Sequence, residues 1–165
     1  MKPYRDAGPR KNIAVYCGLP EIRILRFRAA HLDRIMEIER ASFGRLAYSR
    51  GMFRELHERC GRLFFTARRG RGIAGYIVAC AEAEEAEVVS IAVDPAARGS
   101  GAGKALMRRL LDELAATGAT RVSLMVRTDN LPAIRFYRGF GFRRMRVETR
   151  YYEDGTDAYL MRRLL

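Results

Sequence analysis

The sequence predicts a single mixed α/β domain with elements in the order β-α-α-β-β-β-α-β-α-β-β. Two observations carry this reading. A chain of 165 residues with 48% apolar side chains is enough for one real core. Along it, apolar spacing switches between the two-residue period of strands and the three-to-four-residue period of helices, with no repeat and no internal linker.

From Glu21 the elements follow in order. "IRILRFR" (22–28) alternates apolar and basic residues, as a half-buried strand does. A helix follows from Ala29 to Ala41, striped by Leu32, Ile35, Met36 and Ile38. Its acids Glu37 and Glu39 read as solvent-facing partners for arginine. "YSRGMFRELHERC" is a shorter helix that Ser49 can cap. "RLFFTARR", a turn at Gly70–Gly72 and "IAGYIVACAEA" make an antiparallel hairpin. The β-branched "AEVVSIAV" is a central strand stopped by Asp94-Pro95. A helix from about Gly101 to Thr117 carries Leu106, Leu110, Leu111 and Leu114 on one face and ends at Gly118. "TRVSLMVR" is the next strand, and Pro132 opens a short helix to Tyr137. "GFRRMRVETRYY" and "DAYLMRRLL" are two strands joined around Asp154-Gly155.

Residues 1–20, MKPYRDAGPRKNIAVYCGLP, are basic and broken by Pro and Gly. They lack the apolar block of a signal peptide and read as a loose extension ahead of a domain over 21–165. No run of about 18 apolar residues exists to span a membrane. Cys17, Cys60 and Cys80 are odd in number and widely spaced, with no C-x-x-C pair. The expectation is a reducing, cytoplasmic setting with no disulfide framework and no zinc site. His31 and His57 are too few to anchor a metal with them.

The formal charge of +12 raises a basic surface for RNA, ribosomes or an anionic ligand. Arginine outnumbers lysine throughout, alongside abundant alanine and glycine, which points to a bias of composition. No RNP-like aromatic motif or helix-turn-helix signal is present, so nucleic acid is not expected as the main ligand. An anionic cofactor needs only a few of these charges.

"ARGSGAGKAL" (97–106) is the densest chemical signal, and two phosphate motifs can be tested on it by counting. A Walker A loop needs glycine where Arg98 stands and a hydroxyl where Ala105 stands. A dinucleotide fingerprint needs glycine at Lys104 or at Leu106. Both fail. What remains is R-x-x-G-x-G, after a strand and at a helix N-terminus. Glycines let successive N–H groups converge there, and the helix adds positive potential, so a pyrophosphate fits. A glycine-rich turn that only starts a helix is the plain alternative.

Three segments bear on that choice. VVSIAVDPAARGSGAGKALM resembles motif A of the GNAT acetyltransferase superfamily, which binds acetyl-CoA. NLPAIRFYRGFGF resembles its motif B, with N-x-x-A-x-x-x-Y intact from Asn130 to Tyr137. RYYEDGTDAYLM resembles the C-terminal hairpin of the protein N-terminal acetyltransferases, including the ribosomal-protein-alanine type. The resemblance covers about Ile22 to Leu165 in the right order and spacing.

It implies a mostly antiparallel seven-stranded sheet with four flanking helices and splayed central strands. The reaction implied is direct acetyl transfer from acetyl-CoA to an amine, without metal or covalent enzyme intermediate. Ile91, Ala92 and Val93 would meet the pantetheine arm through main-chain groups. The backbone of Arg98, Gly99, Ser100, Gly101, Ala102 and Gly103 would hold the pyrophosphate, with Arg98 and Lys104 either adding charge or standing solvated. Asn130 matches an asparagine near the cofactor arm, and equally suits the N-cap of the helix at Pro132.

Two protons must move: one off the substrate ammonium, one onto the departing thiolate. Tyr137 matches the family tyrosine that serves the thiolate; the alternative is a tyrosine packed against Phe136 and Phe140. The ribosomal-protein type usually has glutamate where this chain has Met125, and a thioether accepts no proton at useful pH. Glu87, on the preceding strand, is the compensating carboxylate, acting directly or through water, unless it is surface charge in the acid-rich AEAEEAEV run. Tyr151 and Tyr152 match aromatics that hold the substrate's first residues. As strand neighbours they would point to opposite faces, so at most one would face the slot unless a bend intervenes. Phe43 and Tyr48 would supply the other wall.

The resulting expectation is acetylation of a protein N-terminal α-amine, the partner being a protein or peptide N-terminus and possibly a ribosomal protein. Rivals are a lysine side chain or small amine on the same scaffold, and a catalytically weak CoA-binding module.

Overall fold

Seven strands and four helices follow one another in the predicted order in the computed structural model, which describes residues 21–165. The basic segment 1–20, with Cys17, lies outside the described residues. The elements are β1 (Ile22–Arg26), α1 (Leu32–Phe43), α2 (Arg50–Cys60), β2 (Phe64–Arg69), β3 (Gly72–Glu82), β4 (Glu85–Val93), α3 (Ala102–Ala115), β5 (Arg121–Arg127), α4 (Leu131–Gly139), β6 (Arg143–Glu148) and β7 (Ala158–Leu164).

Local chemistry sets the helix starts. Ser49 Oγ accepts from the Met52 N–H at 3.2 Å to open α2. Asn130 Oδ1 accepts from the Ala133 N–H at 3.1 Å to open α4, with Pro132 in the first turn. The helix expected from Ala29 begins as a 3₁₀ turn over Ala29–His31 and becomes α at Leu32.

The sheet order is β1-β2-β3-β4-β5-β7-β6, and only β4 and β5 run parallel. Two cores flank it. On one face Leu106, Leu110 and Leu114 of α3 pack over Phe65, Ile77, Val122 and Met161. On the other, Ile35, Ile38 and Phe53 of α1 and α2 cover Phe64, Tyr76 and Val78. Each face removes large apolar side chains from water, which is what holds the layers together.

One break in the sheet matters most. β4 pairs with β5 only from Glu85 to Glu87, opposite Arg121 to Ser123. In the β3–β4 pairing Val78 faces Ser90 while Ala79 faces Val88, so Val89 is an extra residue. This bulge bends β4 away. Val88 to Val93 and Leu124 to Arg127 then part with main-chain groups unpaired between them. Gly75 of β3 supports this bend: a Cβ there would lie 2.7 Å from the Ala92 carbonyl oxygen. Gly75→Ala is expected to lose stability on the order of 1–3 kcal/mol, read as a lower Tm.

Two expectations are corrected. Cys60, at the end of α2, is disulfide-bonded to Cys80 of β3, with Cα atoms 5.0 Å apart. Spacing gave no sign of this because packing α2 across β3 is what brings the two together. The strand expected to run through Tyr152 ends at Glu148. Arg150 adopts a left-handed φ of 50°. Asp157 captures the Arg150 N–H at 2.8 Å, and Asp154 the Thr156 N–H at 3.0 Å. These side-chain captures divert the chain from strand geometry into a turn.

Candidate active site

The parting of β4 and β5 opens a cavity of about 500 Å³. Its floor is the unpaired edges of the two strands. One wall comes from the end of α1 and the segment after it, with Phe43 and Tyr48. The opposite wall comes from Tyr152 and Asp154 of the β6–β7 loop, and Asn130, Ala133 and Tyr137 close the end toward α4. A second cavity of about 460 Å³ shares Ile91 and Ala133 with the first and runs to the glycine loop.

That loop is built for an anion. Gly99 and Gly101 hold left-handed φ values of 78° and 89°, and a Cβ on either would meet nothing within 4 Å. The backbone is therefore exposed on its open side. The N-cap of α3 is Gly101, with no side chain to satisfy the first-turn N–H groups, in contrast to α2 and α4. Only the Ala102 N–H finds a nearby hydroxyl, Ser100 Oγ at 3.4 Å. The positive end of α3 thus faces the cavity. Arg98 and Lys104 stand exposed beside it and make no ion pair among the described residues. Gly103 lines the same space. Ile91 and Val93 turn their side chains to the α3 core and Ala92 to the other, leaving main-chain groups toward the opening.

Tyr137 lines the first cavity, one helical turn after the shared Ala133. It is 9% exposed, its ring lies 5.5 Å from Phe136 and 5.9 Å from Phe142, and its hydroxyl has no protein partner among the described residues. Burial pushes its phenol well above the usual range, so it stays a neutral donor. Asn130 caps α4 and also lines the first cavity.

The aromatic walls differ from the strand-based expectation. Both tyrosines belong to the turn after β6. Tyr152 lines the cavity, half-buried, with its phenol raised to about 12, mainly by burial. Tyr151 is 52% exposed, does not line the cavity and packs edge-on against Tyr152 at 5.1 Å. Phe43 and Tyr48 both line it.

Met125 faces the cavity from β5, as its alternation with the buried Leu124 and Val126 requires. Glu87 does not line this space. It is exposed and borders a separate depression with Cys60, Cys80 and Ser123. Sequence reasoning also misplaced Glu39. Glu37 pairs with Arg34 at the surface as expected, but Glu39 is 1% exposed and belongs to the cavity wall. The missed signal was positional: Glu39 lies four residues after Ile35 and three after Met36, on the apolar stripe of α1. Ser42 and Ser90 line the cavity too, the Ser42 hydroxyl itself being buried without a hydrogen-bond partner among the described residues.

Comparison with known proteins agrees with this architecture. The model of the acetyltransferase (GNAT) family matches residues 32–142, more than half of the chain. An N-alpha-acetyltransferase of Sulfurisphaera tokodaii is 33% identical over 154 residues, covering 86% of this chain and 92% of that protein. The Ard1 structure from Thermoplasma volcanium superposes with a TM-score of 0.84 at 30% identity, covering 87% of this chain and 97% of that one. The ribosomal-protein-S18-alanine N-acetyltransferase structure from Escherichia coli gives 0.80 at 29% identity, covering 87% and 94%. Two mycobacterial relatives match over 80 residues each, and there the chain spans only 21% and 49% of their lengths.

Proposed function

Since the chain belongs to the GNAT acetyltransferase family, and is thereby an enzyme that transfers acetyl groups, we propose that it acetylates the α-amine of a protein N-terminus directly from acetyl-CoA, both substrates being held at once. The observation that carries this reading is the pair of adjoining cavities, which meet at Ile91 and Ala133, one ending at the uncapped helix, the other between aromatic walls and lined by Tyr137. The names of the relatives support an N-terminal amine as acceptor, and a ribosomal protein is the first substrate to try. The setting that fits such a substrate is the cytoplasm.

In this reading acetyl-CoA supplies the thioester that the amine attacks. The first-turn N–H groups of α3 and the loop from Arg98 to Gly103 bind the pyrophosphate, with Lys104 adding charge. Main-chain groups of Ile91 and Val93 bind the pantetheine arm as an added strand would. Tyr48 and Tyr152 flank the incoming peptide end, with Phe43 at the outer edge. Tyr137 gives its proton to the leaving sulfur and recovers one from the newly acylated nitrogen. Glu87, outside the cavity, contributes through its charge, which is felt at Tyr48, by drawing in the cationic amine. Glu87→Gln is then expected to leave kcat within about twofold and to raise the amine KM a few-fold at low salt, an effect that salt erases.

The test is a panel of peptides differing at their first two residues, run beside free lysine and spermidine. Peptide α-amines should be preferred in kcat/KM by about tenfold or more. Spermidine or lysine turned over as well as the best peptide overturns the acceptor assignment. Acetyl-CoA binding without turnover of any amine would leave a binding module.

A further inference from the structure

The cavity wall holds one buried carboxylate that the reaction above leaves idle. Glu39 makes no ion pair among the described residues. Its Oε1 accepts from the Tyr48 N–H at 2.9 Å, and its Oε2 accepts from the Tyr76 hydroxyl. The Tyr76 Oη lies in turn 2.9 Å from Ser90 Oγ. Tyr76 is fully buried, while Ser90, in the bulged stretch of β4, is only partly buried and lines the cavity. Two hydrogen-bonded hydroxyls therefore lead from the cavity to a carboxylate. The residue on the facing strand is Met125, which cannot take a proton.

We propose that Ser90, Tyr76 and Glu39 form a proton relay that deprotonates the substrate ammonium, with Glu39 as its terminal acceptor. The proposal rests on the amine-acetylating reading above and names the base that reading lacks. An N–H bond of the ammonium breaks as Ser90 Oγ takes the proton, directly or through one water. The proton of Ser90 passes to Tyr76 Oη, and that of Tyr76 to Glu39 Oε2. Each hydroxyl ends with one proton, the amine is neutral with its lone pair free, and Glu39 alone changes charge. After product leaves, the proton returns to solvent by the reverse path.

Other properties agree. Burial raises the Glu39 carboxyl above the usual range, against the pull of its hydrogen bonds from Tyr76 and Tyr48. A carboxylate moved toward neutrality is a better base for an amine. The groups that face it are Tyr76 from β3 and Tyr48 from the connection to α2, with Ser90 of β4 one hydroxyl further on; none is charged. The charge of Glu87 acts on Tyr48. Burial, then the charge of Glu39, holds the Tyr76 phenol far above its ordinary value, so Tyr76 passes a proton without resting as phenolate. Ser90 takes the proton from substrate; Tyr76 and Glu39, the latter 1% exposed in the cavity wall, act through it.

The test compares Glu39→Gln, Tyr76→Phe, Ser90→Ala and Glu87→Gln with wild type, using the amine that wild type turns over best. Near neutral pH the first three are expected to lose about a hundredfold in kcat, with acetyl-CoA affinity retained. The Glu39→Gln/Tyr76→Phe pair should be no worse than either alone, because both cut one path. Raising the pH to about 9, where an α-amine is already largely neutral, should shrink every deficit. A merely structural role would leave the deficit constant, and that result overturns the relay. So does a Glu39→Gln enzyme with near-wild-type kcat, or loss confined to Glu87→Gln. Infrared titration adds a readout independent of turnover: a protonated-carboxyl band persisting above the usual carboxylate range and absent in Glu39→Gln. Its absence from wild type also overturns the proposal. A wild type that acetylates spermidine but no peptide defeats the substrate assignment and leaves the relay measurable on spermidine through the neutral-pH losses in kcat and their non-additivity.

Discussion

Tyr137→Phe is expected to lower kcat about a hundredfold while acetyl-CoA affinity and Tm stay near wild type. The separation follows from the geometry. The ring is held by Phe136 and Phe142, and phenylalanine keeps those contacts. The hydroxyl bonds to nothing in the protein among the described residues, so its loss leaves no orphaned partner behind. What disappears is the neutral phenol donor that Tyr137 presents to the first cavity. Burial raises the phenol's proton affinity, so wild type keeps its donor across the working range, and its kcat should show no alkaline limb from Tyr137. Release of the free CoA thiol, followed over single turnovers, measures the chemical step. A single-turnover rate within threefold of wild type would remove Tyr137 from the reaction.

What could be read in advance was whatever depends on near neighbours in sequence. Period and punctuation fixed the order of strands and helices. Ser49 and Asn130 cap through residues three positions on, and Gly99 and Gly101 announce a backbone that must turn left-handed. The missed features depend on distant residues. Glu39 carries a charge, yet its position on α1 puts it in the core; hydrogen bonds from the Tyr48 N–H and from the Tyr76 hydroxyl, 37 residues on, make that burial tolerable. The Cys60–Cys80 bond depends on α2 crossing β3. The turn that carries Tyr151 and Tyr152 is bent by Asp154 and Asp157 and pinned from β5 by Arg127, none of which alternation along a strand can register.

That pin gives the second large effect: Arg127→Ala is expected to raise the peptide KM about tenfold, with a smaller change in kcat and none in the acetyl-CoA KM. Arg127 spends its fork on the loop. It donates to Asp154 at 2.8 Å and to Thr156 Oγ1 at 2.7 Å, and holds Asp129 at 3.0 Å, while its guanidinium lies 5.1 Å from the centre of the Tyr152 ring. Tyr152 is the cavity wall on that side, so Arg127 acts on substrate through the tyrosine that it positions. Lysine keeps the charge but not the fork, and Arg127→Lys should restore only part of the affinity. The hydrogen bond from Arg127 holds the Asp154 carboxyl down to about 2 and lowers that of Asp129. A depressed carboxylate contributes above its unfolded pKa and is lost as pH falls through the folded value. The tie is therefore intact throughout the enzyme's working range, and the wild-type peptide KM should carry no pH dependence from it. Because these acids are solvent-exposed, their pairing adds little to global stability. The expected signature is a large KM change with a small Tm change. A large fall in Tm with an unchanged peptide KM would instead assign Arg127 to holding the fold.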